Sequence, residues 1–134
     1  MTEKTINICG QEVRICYCAA TENAFENITG KSISVFVPTF GKDENGNTII
    51  TESAKAMTGD WMFLGIGGII AAYSKDNQQP PVDTNQVLFE ASPEDVTNLI
   101  TTIVELRGQW YRVPEIIPKD EQPANDDAEE QPKN

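Results

Sequence analysis

The run from Trp61 to Tyr73, "WMFLGIGGIIAAY", carries no charge and holds three glycines. No other stretch restricts the fold so tightly. A bilayer-spanning helix needs about 20 mostly apolar residues. This run is shorter, and Asp60, Lys75 and Asp76 bracket it closely. A phosphate-cradling loop fits poorly too. Gly65, Gly67 and Gly68 do not complete G-x-G-x-x-G, because position 70 is Ile70, and no Walker lysine follows. The remaining reading is a helix covered on all sides within a protein.

That helix has two unlike faces. Phe63, Ile66, Ile70 and Tyr73 form a stripe of large residues; Leu64, Gly65, Gly68, Ala71 and Ala72 form a mostly small face nearly opposite. Each glycine costs about 1 kcal/mol of helix propensity relative to alanine, so three in one helix imply a return from close packing. Two readings stay open. In one the small face is internal and the helix is the centre of the core. In the other Gly65, Gly68 and Ala72, with Leu64 and Trp61 beside them, floor an apolar groove that receives a partner chain.

The flanking segments predict an α+β domain. "TINICGQEVRICY" alternates around Gly10-Gln11 and reads as a β-hairpin, with Cys9 opposite Glu12, Ile8 opposite Val13 and Ile6 opposite Ile15. Ile6, Ile8, Val13, Ile15 and Tyr17 then share the core face. Residues 19–29 place Ala20, Ala24, Phe25 and Ile28 at helical spacing, and Gly30 supplies a left-handed stop. "SISVFVPTF" fits a strand limited by Pro38, and "GKDENGN" a turn or loop. "NQQPPVDTNQ", residues 77–86, reads as a linker. Ser92 is the expected N-cap of a helix with Pro93 first and Glu94 and Asp95 in its first turn. Its apolar stripe is Val96, Leu99, Ile100, Ile103 and Trp110, with Leu106 at the edge and Gly108 as a weak point. The expected organisation is one domain over residues 1–113, with an N-terminal hairpin and about three main helices. Residues 114–134 read as a disordered, proline-spaced acidic tail.

Charge and residue inventory narrow the function. The formal net charge is −11, and residues 114–134 hold seven acids and two lysines of it. With Arg14, Arg107 and Arg112 as the only arginines, neither nucleic acid nor a membrane surface is an expected partner. The first ten residues lack the basic-then-apolar pattern of a secretory leader, so the expected location is cytoplasmic. Histidine is absent, which removes the commonest general base and zinc ligand. Cys9, Cys16 and Cys18 on one hairpin are a poor tetrahedral set. "DENGNT" fails as a calcium loop, with Thr48 where glycine is required and Ala54 where glutamate is required. No nucleophile–base pair stands out. The expectation is no enzyme, no catalytic residue, no metal and no cofactor.

The order of features resembles the small tail assembly chaperones of long-tailed bacteriophages and prophages. The resemblance runs loosely over residues 5–107. It rests on the opening hairpin, on Ala20 to Gly30 ("ATENAFENITG") and on the Ser92-to-Asp95 cap of a later amphipathic helix. It implies a non-enzymatic protein that binds the tape-measure protein, or another tail protein, during tail assembly in the bacterial host cytoplasm. A homo-oligomer is also an open partner state. Two other readings remain at this stage: a structural or adaptor protein of a tail or connector, and a small-molecule-binding domain.

Overall fold

A computed structural model describes residues 2–111. In chain order it contains β1 (Glu3–Ile8), β2 (Gln11–Cys16), α1 (Ala19–Thr29), a 3-10 turn (Ile33–Phe36), β3 (Thr39–Lys42), β4 (Thr48–Glu52), α2 (Thr58–Ser74), α3 (Thr84–Glu90) and α4 (Pro93–Tyr111). β1 pairs antiparallel with β2, and β3 with β4, as two separate two-stranded sheets. The fold is α+β. The expected tail, residues 114–134, lies outside the described residues.

α2 is the hub, touching α1, β2 and α4. Of its four glycines, Gly65, Gly67 and Gly68 face three different neighbours. A Cβ on Gly65 would lie 2.6 Å from Leu99 Cγ of α4, one on Gly67 2.7 Å from the Thr21 carbonyl oxygen of α1, and one on Gly68 2.7 Å from the Cys16 carbonyl oxygen of β2. Real Cβ contacts are not that short, so the glycines set the approach distance of the surrounding elements. Ile8, Val13, Ile15, Tyr17, Phe25, Leu64, Ile69, Leu99, Ile103 and Leu106 fill the space around them, each at most 2% exposed. Burying each such leucine or isoleucine contributes about 1.5–3 kcal/mol. An isolated hairpin is marginal in water; this one gains its stability by laying that face on α2 and α4.

The first hairpin keeps the expected core face but not the expected register. Ile6 pairs with Val13 and Ile8 with Gln11, so the turn residues are Cys9 and Gly10. Both have positive φ, 53° and 76°, the requirement of the turn whose twist matches a hairpin. The shift leaves side-chain parity intact, because moving one pairing partner by two residues preserves the face. Polar bonds then fix the hairpin in place. The Cys9 N–H donates to Asp95 Oδ2 at 3.0 Å, and the Arg14 N–H to the Tyr73 hydroxyl at 3.1 Å. Buried Thr21 accepts from the Cys18 N–H at 3.1 Å and donates to the Cys16 carbonyl at 3.0 Å.

Other expectations are met or corrected locally. α1 ends at left-handed Gly30, whose N–H donates to the Glu26 carbonyl. Ala20 is exposed, and Thr21 takes the inward place. Ser92 caps α4 as expected: its Oγ accepts from the Asp95 N–H at 3.1 Å, and Asp95 returns a bond to the Ser92 N–H at 3.2 Å. Leu106 is buried while Trp110 is 42% exposed, and the helix continues through Gly108. Within the expected linker Asp83 accepts from the Gln86 N–H at 2.7 Å and starts α3. "ISVF" forms a 3-10 turn rather than a strand, and the ladder begins only after Pro38, with β3 at Thr39.

Candidate functional site

Two surface features stand out from this framework. The first is a cleft of about 520 Å³ between the end of α1 and the start of α2, lined by Ile28, Thr29, Lys31, Met57, Gly59, Asp60 and Phe63. It exists because Gly30 turns the chain out of α1 and the chain re-enters α2 at Met57 alongside it. Asp60 anchors the entry. It is 5% exposed, and its Oδ2 accepts from the Met57 N–H at 2.9 Å while its Oδ1 accepts from Lys31 Nζ at 2.9 Å. The Lys31 bond and then the Met57 bond hold its carboxyl below the ordinary value, against the opposing effect of burial. The carboxylate is thus a satisfied helix cap. The Lys31 side chain remains 52% exposed. The walls are apolar, and Met57 is 71% exposed. A flexible, polarizable side chain of that kind adapts to differing apolar occupants.

The second feature is the β3–β4 hairpin. Every residue of β4 is exposed, and Phe40 and Ile50, paired across the strands, are 56% and 58% exposed. Its turn is closed by the Gly46 N–H to the Asp43 carbonyl at 3.0 Å, and Asp43 Oδ1 accepts from the N–H groups of Asn45 and Asn47 at 2.9 Å each. Val37, Ile49 and Met57 are also exposed nearby in sequence.

The residues assigned from sequence to a groove floor lie elsewhere. Leu64 and Ala72 are fully buried, and Gly65 and Gly68 are closed over by Leu99 and by Cys16, Ile15 and Ile103. Of the two readings of this face, the partner groove is corrected and the internal one holds: the small face is internal, because α4 and β2 occupy it. Trp61 is half-buried, its ring 4.6 Å from that of Phe36. Arg107 lies beside both rings and 5.0 Å from the ring of Tyr111.

The remaining chemistry-bearing groups are tied into structure. Cys16 is buried, its thiol directed at the Gly68 carbonyl at 3.8 Å. Burial above all, then neighbouring Cys18, pushes it up to about 11. Cys9 points at the Gln86 carbonyl at 3.7 Å. Tyr17 and Tyr111 both donate to Glu22 Oε2, joining α1 to the end of α4. Among the described residues no group of three or more His, Cys, Asp or Glu is placed to hold a metal ion, and no helix is long and apolar enough to cross a membrane.

Ile28 and Phe63 were read from the sequence only as apolar positions of two separate helices, and Met57 was not singled out, because a cleft formed by a chain turning out of one helix and into another leaves no periodic trace. The second hairpin did leave one: Asn45-Gly46 between "TF" and "TII" is a strong short-range hairpin signal. Comparison with protein-family models, with curated proteins and with solved structures finds no match.

Proposed function

We propose that the chain is a non-enzymatic assembly chaperone of the phage tail kind, which seats an apolar helix of a tape-measure protein in the cleft between α1 and α2. The observation that carries this reading is the cleft itself: apolar walls, an adaptable Met57 at the rim, and the buried carboxylate beneath fully satisfied rather than free for chemistry. Recognition of an amphipathic helix in an apolar groove is a recurrent mode of protein binding. The acidic surface suits a protein that must stay soluble while holding an aggregation-prone segment. The sequence resemblance over residues 5–107 supports the same reading, and the interior position of Gly65, Gly68 and Ala72 moves the binding surface off the small face of α2.

The test is capture of a tape-measure fragment by the full chain and by Met57→Glu. The side chain at 57 is largely exposed, so the melting midpoint should hold while capture falls at least tenfold. Capture at full strength by a folded Met57→Glu protein refutes the assignment of the cleft.

A further inference from the structure

The charge arrangement of the cleft specifies its occupant more closely, resting on the reading above. Two charged residues line it, Lys31 and Asp60. The pair is oriented: both Asp60 oxygens are inside and engaged, one with Lys31 and one with the Met57 N–H, whereas the ammonium lies on the exposed side. An ammonium has three donors, and Asp60 is its only partner among the described residues. The start of α2, a 17-residue helix that contributes Gly59 to the lining, adds the positive end of its dipole at the same place. The cleft therefore presents apolar walls and, at its mouth, the exposed lysine of an ion pair whose carboxylate is buried, although the chain as a whole carries −11.

We infer that the cleft selects an amphipathic helix bearing an apolar anchor and, one turn along on the same face, a carboxylate that bonds Lys31. The anchor fills the space among Ile28, Met57 and Phe63. Residues four apart stand above one another on a helix, so the acid reaches the mouth when the anchor is seated. A partner with a lysine at that position would meet Lys31 with like charge. Lys31 is thereby a specificity-determining residue, and Met57 supplies adaptable apolar contact.

The probes are three alanine-rich helical peptides, each with one leucine anchor and with Glu, Gln or Lys four residues further on. Fluorescence anisotropy measures their binding to the full chain at 0.15 M salt, where the long-range field of the chain is largely screened beyond about 8 Å. The Glu peptide should bind tightest and the Lys peptide weakest. The spread should be about two- to fivefold, the range of a partly exposed ion pair, and it should flatten in Lys31→Gln. That variant keeps the Met57 N–H bond to Asp60, and a melting curve checks that it folds. Equal binding of the three peptides, or a preference for Lys, overturns the inference. If Met57→Glu still abolishes that binding, the assignment of the cleft survives. If no peptide binds, both fall. A Glu preference that persists unchanged in Lys31→Gln also overturns the inference, because the selectivity then lies in other groups.

Discussion

Replacing single glycines by alanine separates close packing from helix propensity. Gly68 and Gly108 both lie within helices. At Gly68 an added Cβ would sit 2.7 Å from the Cys16 carbonyl oxygen and 2.9 Å from both Ile103 Cδ1 and Ile15 Cγ1; at Gly108 nothing lies within 4 Å. Alanine gains about 1 kcal/mol of helix propensity at either site. Overpacking a core costs typically about 1–3 kcal/mol, and a backbone carbonyl held in a hairpin has less room to yield than a side chain end. Gly68→Ala should therefore be net destabilising by up to about 2 kcal/mol, and Gly108→Ala stabilising by up to about 1 kcal/mol. Gly67→Ala, facing the Thr21 carbonyl, should behave like Gly68→Ala. Gly65→Ala should cost less, since its obstacle is the leucine side chain of residue 99. For a domain near 100 residues, 1 kcal/mol moves the midpoint by about 4–8 °C, so thermal melts resolve the order and urea titrations check it. A Gly68→Ala protein stabilised as much as Gly108→Ala would refute the claim that Gly68 sets the spacing of β2 on α2, and the same result for Gly67→Ala would refute it for α1.

That same segment shows what a sequence can and cannot disclose. The absence of charge from Trp61 to Tyr73 required a helix covered on all sides; the structure covers residues 64–69 and 71–73 and leaves Trp61, Met62, Phe63 and Ile70 partly open. Composition alone could not say whether the cover came from this chain or another, since both demand small residues. The answer depended on α4 bringing Leu99 and Ile103 back from far along the chain onto Gly65 and Gly68, a tertiary fact. The first hairpin was legible by alternation, but its register turned on whether Cys9 would accept positive φ, which is unusual outside Gly, Asn and Asp. The capping exchange of Ser92 and Asp95 was local and therefore readable. The β3–β4 hairpin was only half read: a strand was placed too early, before Pro38, and the turn at "GKDENGN" was recognised, but the returning strand Thr48–Glu52 was not. The cleft was not legible: Ile28, Met57 and Phe63 are spread over 36 residues and share no period. An expectation built on the small face of α2 thus named residues that the core had already claimed.

Two further outcomes follow from local geometry. Cys9→Asn should raise stability by about 0.5 kcal/mol, because asparagine tolerates the left-handed conformation and Asn-Gly suits this turn, whereas a loss above about 1 kcal/mol in urea unfolding would show that the thiol contact with the Gln86 carbonyl outweighs the backbone preference. The other concerns acid. Asp60 has a folded-state carboxyl held below its ordinary value of 3.8 by the Lys31 ammonium first and the Met57 N–H second. A depressed carboxyl contributes stability that is complete above the unfolded value and is lost as pH falls through the folded one. Lys31→Gln removes the larger cause and leaves the smaller, so it lowers the midpoint at pH 6 yet has less to lose on acidification. Melting both proteins between pH 6 and pH 2 cancels the many carboxylates they share and isolates this one. The gap between the two curves should be constant down to about pH 4 and should narrow below the ordinary carboxylate value. A gap that stays constant to pH 2 would mean that Lys31 stabilises the fold through its packed methylenes, not through charge on Asp60; a gap that widens would mean that protonated Asp60 is the form the cap prefers. Either result would remove the oriented ion pair from the mouth of the cleft, and with it the outward-facing lysine on which the choice of an acidic partner helix depends.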